Sequence, residues 1–411
     1  MKKSLYLLFS LCVIFSACKD DDVVSNRVIF KFSLKDPIYD MGDRWIVLHD
    51  DESGEVIDSR LITKGEVAIF ESTKKIAGDK MTVTYFRASD RGGSWAQVFA
   101  GVGVGSEWTS MDEGRNQSGS DSHGVSGTYS LTINNAPTLY SFTIADKTGT
   151  TLPNVKAVND NGTIILSPRF NTGLKQLVSI DPLDGKQKYA FIENIGQDEN
   201  VVLDYNDFKE FDKYIEIDFP SYSYIDVKAY PGLSKFYNTY DLYYNNEYGL
   251  WDNLEKQELN LGVLNEFPLY RITTYSGIVD YSYLGPAPSK IDYPNFGEFV
   301  VTDTGIDTYK IEAGSNFNHR HVNYRYNPPS GSSDRSIQIE YYGPQDSKLH
   351  DALSDEIIAK YSLKMDKLEY GRSDVTFGTQ TYPKLLDYYF ADVYDPSEPF
   401  EITTISVREE N

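Results

Sequence analysis

The chain has 411 residues, room for two or three domains, with 39 Lys and Arg against 61 Asp and Glu, a formal net charge of −22. That balance excludes the basic field that nucleic acid needs and excludes a polybasic membrane patch. Hydrophobic residues at 40% exclude a disordered chain, and two Cys exclude a disulfide framework. Aromatics reach 14%, with 32 Tyr, a composition that favours strands.

Residues 1–17 read as a secretory signal peptide. Lys2 and Lys3 form its positive start, and the apolar run from Leu5 to Ala17 is shorter than the ~20 residues a spanning helix needs. Phe15-Ser16-Ala17-Cys18 resembles the lipobox of bacterial lipoproteins. The resemblance implies that Cys18 is acylated and becomes the first residue of the mature chain. Two or three acyl chains bury enough methylenes, at about 0.8 kcal/mol each, for a firm anchor. Cys12 leaves with the signal, so no free thiol remains for redox or nucleophilic work. Lys19, Asp20, Asp21 and Asp22 follow at once and resemble the export signal of Bacteroidota-type surface lipoproteins. That resemblance implies the outer face of the outer membrane, with residues 18–26 as a lipidated tether.

Past the tether, apolar residues alternate. Val28, Phe30, Phe32 and Leu34 open the pattern, Trp45 to Leu48 forms a compact apolar strand, and Asp50 to Gly54 makes a turn. Val67 to Phe70 and Met81 to Phe86 follow. Short strands separated by turns predict a β-sandwich over 27–135, closed by Tyr129, Leu131 and Ile133. Its strand–turn rhythm is similar to transthyretin-like or carboxypeptidase-regulatory-like domains. Residues 101–127 are rich in Gly and Ser and read as a loop inside that domain. A second sandwich is expected over 136–250, with tight turns at Asp160-Asn161-Gly162 and Asp184-Gly185 and alternation at Ile225, Val227 and Ala229. A third, β-rich domain is expected over 251–411. It holds one short helix after Ser354, with Asp355 and Glu356 in the first turn, and a second helix or a strand at Leu385 to Phe390. The expected fold class is therefore all-β: tandem sandwich-like domains with one or two short helices near the C-terminus.

Catalytic signatures are missing. No G-x-S-x-G elbow, phosphate loop or H-E-x-x-H occurs, and no catalytic residue, metal ligand set or cofactor is assigned. Gly101, Gly103 and Gly105 read as a bulged strand. His319-Arg320-His321 places two imidazoles on one strand face, read as an exposed face without a third ligand. Asp50 to Glu52 reads as a polar hairpin turn.

The strongest compositional signal is aromatic. Phe219 to Trp251 is dense in Tyr, and Tyr237, Tyr240, Tyr243, Tyr244, Tyr248 and Trp251 are the candidate ligand-binding residues. Flat apolar faces with polar edges suit interfaces and sugar rings, and also suit packing between domains. The expectation is a lipid-anchored outer-membrane surface protein acting as a non-catalytic binding module. Its partners would be the membrane, through the acyl chains, and a glycan or an outer-membrane protein, with no nucleic acid. A glycan-degrading hydrolase and a ligand-free envelope protein are the alternatives.

Overall fold

The computed structural model describes residues 26–34, 42–63, 65–90, 92–109, 127–150, 154–159, 162–218, 224–232, 239–246, 259–276, 278–292, 296–390 and 399–409. Among the described residues strands dominate, at 59% against 8% helix, and no sheet closes into a barrel. The first group is β1 (Arg27–Ser33), β2 (Asp43–Asp50), β3 (Val56–Ile62), β4 (Val67–Ser72), β5 (Lys80–Ala88), β6 (Gly93–Gly103) and β7 (Ser106–Thr109). Next come β8 (Gly127–Thr128), β9 (Ser130–Asn134), β10 (Leu139–Asp146), β11 (Gly149–Thr150), β12 (Asn154–Asn159) and β13 (Thr163–Ser167). They are followed by β14 (Arg169–Phe170), β15 (Gln176–Pro182), β16 (Lys188–Ile192), β17 (Asn200–Asp204) and β18 (Lys209–Glu210). Then follow β19 (Lys213–Asp218), β20 (Tyr224–Tyr230), β21 (Tyr240–Asn246), β22 (Leu259–Val263), β23 (Leu269–Ser276), β24 (Val279–Gly285) and β25 (Lys290–Asp292). The last are β26 (Phe299–Asp303), β27 (Lys310–Ala313), β28 (His319–Tyr326), β29 (Ser336–Pro344), β30 (Glu369–Gly378) and β31 (Phe400–Glu409). Two helices, α1 (Asp355–Tyr361) and α2 (Tyr382–Phe390), complete the description.

A 14-stranded sheet is the spine, in the order β21-β20-β23-β24-β31-β30-β28-β29-β6-β5-β2-β3, with β26 and β27 off its path. It joins the N-terminal strands to the C-terminal ones through a parallel pair, Ser336 to Tyr342 of β29 beside Gly93 to Phe99 of β6. The run from Trp45 to Leu48 is apolar on consecutive positions because β2 is covered on both faces. Ile46 and Leu48 meet Phe30, Phe32 and Phe70, while Trp45 and Val47 meet Phe86, Val98 and Ile357 of α1. A small sheet, β4-β1-β7, forms the cover over Ile46 and Leu48.

Residues 127–210 build a sandwich of their own. The sheet β11-β10-β15-β16-β18 faces β12-β13-β9-β17 across Leu131, Ile133, Ile144, Ile164, Leu166, Val178 and Ile180. Sheet membership thus differs from the expected divisions at 135 and 250. Leu131 and Ile133 sit in the middle sandwich, paired to β13 and β17, and do not close the first one. Strands β20 and β21 join β23 and β24, while β19 pairs with β22 and β25. Strand pairing is non-local, so alternation marks each strand without naming its neighbour.

A buried amide ties the middle sandwich to this framework, beside a bond from Ser141 Oγ to the Tyr244 carbonyl (3.1 Å). Gln187 donates through Nε2 to Ser179 Oγ (2.5 Å) and to the Leu242 carbonyl (2.9 Å), and its Oε1 accepts from Gly262 N–H (2.6 Å). These bonds link β15, β21 and β22, where an unsatisfied group would be costly. Ser354 precedes α1 in an extended conformation, and its carbonyl accepts from Ile358 N–H, as an N-terminal residue should. Its hydroxyl, however, meets Ser59 Oγ (3.3 Å). Leu385 to Phe390 lies in helix α2, where Tyr382, Leu385 and Leu386 enter the first core cluster.

Candidate functional site

One face of the long sheet changes character along its strands. At one end Tyr230, Leu269, Leu284 and Phe400 are buried with α2 in the first core cluster. Further along, the same face carries Lys228 and Arg271, then Asp226, Thr273 and Ser282, then Tyr224, Tyr275, Asp280 and Thr404. Adjacent strands add Ser406, Asp374 and His321 in register. The opposite face of the same strands presents Ile225, Val227, Ala229 and Ile272 to β19, β22 and β25, and is apolar but for buried Thr274 opposite Ile225. Period-2 geometry makes this division: odd positions of β20 build core and even positions build the polar face.

Three charged groups meet at the centre of that face. Lys228 Nζ lies 3.5 Å from Asp226 Oδ2 and 3.3 Å from Asp241 Oδ1. Asp226 is only 5% exposed. Burial pushes its carboxyl up to about 6, with Lys228 opposing and Asp241 adding to the rise. Burial also works against the Lys228 ammonium, but the two carboxylates outweigh it and hold that group above its usual value. Tyr224 and Tyr244 rim the cluster edge to face, with centroids 5.6 Å apart. Asp280 lies within electrostatic reach of both Arg271 and Asp374 and continues the charge across the sheet.

The histidines lie at the next strands. His319 and His321 are buried, which corrects the expectation of an exposed pair. Burial and the neighbouring His321 push His319 down to about 3, so it is neutral near pH 7, under the ring of Tyr382. His321 Nδ1 lies 2.9 Å from Asp374 Oδ2, and its ring stacks on Tyr342 at 4.6 Å. Burial alone would raise Asp374, yet the bond to His321, Ser406 and the charge of Arg372 hold it below the usual carboxylate range. Ser406 donates to the Asp374 carboxylate (2.8 Å) and not to the imidazole, so these three groups do not form a nucleophile–base relay. Among the described residues no group of three or more His, Cys, Asp and Glu could hold a metal ion.

The predicted aromatic residues divide. Tyr243 is 1% exposed and belongs to the apolar core, which corrects its place among ligand-binding residues. Tyr240 is half-buried on the core side against Phe267 (5.4 Å). Tyr244 alone of the three lies on the polar face, paired to Asp226. The reason is a β-bulge: the β20–β21 register shifts between Val227 and Lys228, so Leu242 and Tyr243 both enter the core and Tyr244 turns out. Strict alternation would have reversed the two tyrosines. Tyr237, Tyr248 and Trp251 lie outside the described residues, as do Cys18 and Lys19 to Asp22. Asp50 and Asp51 do make a hairpin turn: Asp50 Oδ1 accepts from Ser53 N–H (2.9 Å), and Asp51 Oδ1 accepts from Gly101 N–H (2.9 Å). Gly101, at φ +71°, supplies the bulge in β6 that the glycine run suggested.

Sequence reasoning missed Asp226, Lys228, Asp241 and Arg271. The signal was the polar half of an alternation whose apolar half was read, but burial of the carboxylates comes from neighbouring strands distant in sequence.

Compared with protein-family models, with curated proteins and with solved structures, the chain matches none.

Proposed function

We propose that this protein is a lipid-anchored outer-membrane surface protein acting as a non-catalytic binding module. The anchor and its outward orientation rest on Lys2 to Asp22: a charged start, an apolar run, Cys18 and the acidic signal. The binding reading is carried by one observation, the Asp226–Lys228–Asp241 cluster rimmed by Tyr224 and Tyr244 on a sheet face. Fixed charges of both signs beside tyrosine edges can orient the hydroxyls of a glycan or the polar groups of a partner protein.

The test has two parts. Wild type should partition into detergent and carry acyl mass at Cys18, and Cys18→Ser should lose both; undiminished partitioning of the variant overturns the anchor. For the site, purified protein is applied to an array of neutral and acidic oligosaccharides. Tyr244→Ala should weaken capture about thirtyfold at unchanged melting temperature. Capture that Tyr244→Ala and Asp226→Asn both leave intact removes this face from the proposal.

A hydrolytic reading draws on the same cluster, since a carboxyl held near 6 beside a second carboxyl can serve as a general acid. It requires reducing ends to be released from a captured oligosaccharide and lost in Asp226→Asn. Capture without release favours the binding module.

A further inference from the structure

The small sheet β4-β1-β7 has an inner face of Phe30, Phe32, Ala68 and Phe70, buried in the first core cluster. Its outer face holds an apolar row, Val28 at 38% exposed, Val67 at 58% and Ile69 at 44%. Register brings these together: Ile69 lies opposite Lys31, Val67 opposite Ser33, and Val28 one step further along β1, opposite Glu71. Among the described residues few large apolar side chains are this exposed, and three of them share this one small face. Lys31 and Glu107 pair on the same face and cancel each other's charge.

Two further facts say what this face meets. The first is continuity. Cys18 is nine positions before Arg27, where β1 begins, so among the described strands β1 lies nearest the anchor in sequence. A fully extended tether of that length spans at most about 30 Å. The second is charge. Residues 27–109 carry 11 Lys and Arg against 13 Asp and Glu, a net of −2, whereas residues 110–411 carry 25 against 45, a net of −20. An anionic membrane surface repels the second part and tolerates the first.

We propose that the outer face of β4-β1-β7, with Val28, Val67 and Ile69, rests against the lipid surface that holds the anchor and orients the acidic body away from it. This rests on the anchoring proposed above. The acyl chains supply affinity, and the apolar row supplies orientation by lying in the headgroup layer. In that arrangement a rigid side of the molecule faces the bilayer.

Hydroxyl-radical footprinting read by mass spectrometry tests this on the full mature chain. The acylated protein on phosphatidylethanolamine–phosphatidylglycerol vesicles is compared with Cys18→Ser protein in solution. Oxidation of Val67 and Ile69 should fall about fivefold on vesicles, as expected for side chains entering the interface. Val202, exposed on the middle sandwich, should be oxidised equally in both states and serves as the reference. Equal oxidation of Val67 and Ile69 in the two states overturns the proposal. So does protection already present in solution, which would indicate a second copy on this face. If intact mass shows no acyl group, the anchor reading fails by itself. The Cys18 thiol is then joined to a maleimide lipid, and the same footprint still decides which face meets the membrane.

Discussion

The two faces of β20, β21 and β23 are made from the same short stretches of chain and do opposite work. One packs Ile225, Val227, Leu242, Tyr243 and Ile272 against a second sheet and leaves no charge inside. The other carries Asp226, Lys228, Asp241 and Arg271, with Tyr244 at the rim. The lesson lies in how burial is tolerated. The apolar face is stable because water is excluded from hydrocarbon, whereas the polar face buries carboxylates and must pair them. A sheet face that keeps charged groups fixed therefore needs a strong core directly behind it.

The largest expected effect tests the apolar face. Tyr243→Ala should cost about 3–5 kcal/mol of stability, since it removes a buried ring from a packed interface. Thermal melting measures it, and an unchanged melting temperature would mean that the bulge does not turn Tyr243 inward.

The polar face should instead reveal itself through pH. The raised Asp226 carboxyl binds its proton more tightly in the folded state than in the unfolded state. Its contribution is fully present below about pH 4 and is lost as pH rises through about 6, a change of about 3 kcal/mol. Asp374, held below its ordinary value, acts with the opposite sign: its contribution is present above the ordinary carboxylate range and is lost as pH falls through its depressed pKa. His319, held neutral by burial, adds stability over the same range as pH rises, so urea unfolding between pH 4 and 7 is read as the stability of wild type minus that of Asp226→Asn, and this difference should fall with rising pH. A difference that does not change with pH would mean that Asp226 is not the group that titrates.

Gln187→Ala asks whether the middle sandwich is held by its buried amide. Removing it leaves the Gly262 N–H and the Leu242 carbonyl short of a partner, a cost of about 2 kcal/mol by chemical unfolding. Limited proteolysis should then cut between the sandwich and β21 sooner than in wild type; identical kinetics would show that apolar contact and the Ser141–Tyr244 bond hold the two together without the amide.

The smallest stability effect is expected next to the largest. Tyr244→Ala should change stability by less than about 1 kcal/mol, because the ring is half-buried on the polar face. A loss equal to that of Tyr243→Ala would erase the distinction between the faces.

Much of this was legible in the chain. Ile225, Val227 and Ala229 announced a strand by alternation, Trp45 to Leu48 a compact apolar one, and Ser354 a helix start. Local signals suffice there because side-chain direction follows from backbone period. The site was only partly legible. The Tyr-rich stretch covers the strands that carry the polar face, yet alternation puts Tyr243 on the wrong side, because a one-residue bulge inverts every position after it. The His319 and His321 pair looked exposed, and is buried because β29, β30 and α2 surround it.

The sequence by itself determined the strand content, the short helix after Ser354, the charge imbalance and the resemblance of its first residues to a lipoprotein anchor, all properties of neighbouring residues. The tertiary structure alone decided which strands pair, that β6 and β29 join the two ends of the chain, and that Asp226 and Asp241 share one lysine. The physical reason is that pairing and burial depend on contacts between residues far apart in the chain, whose free energies exist only once the sheets have closed on one another.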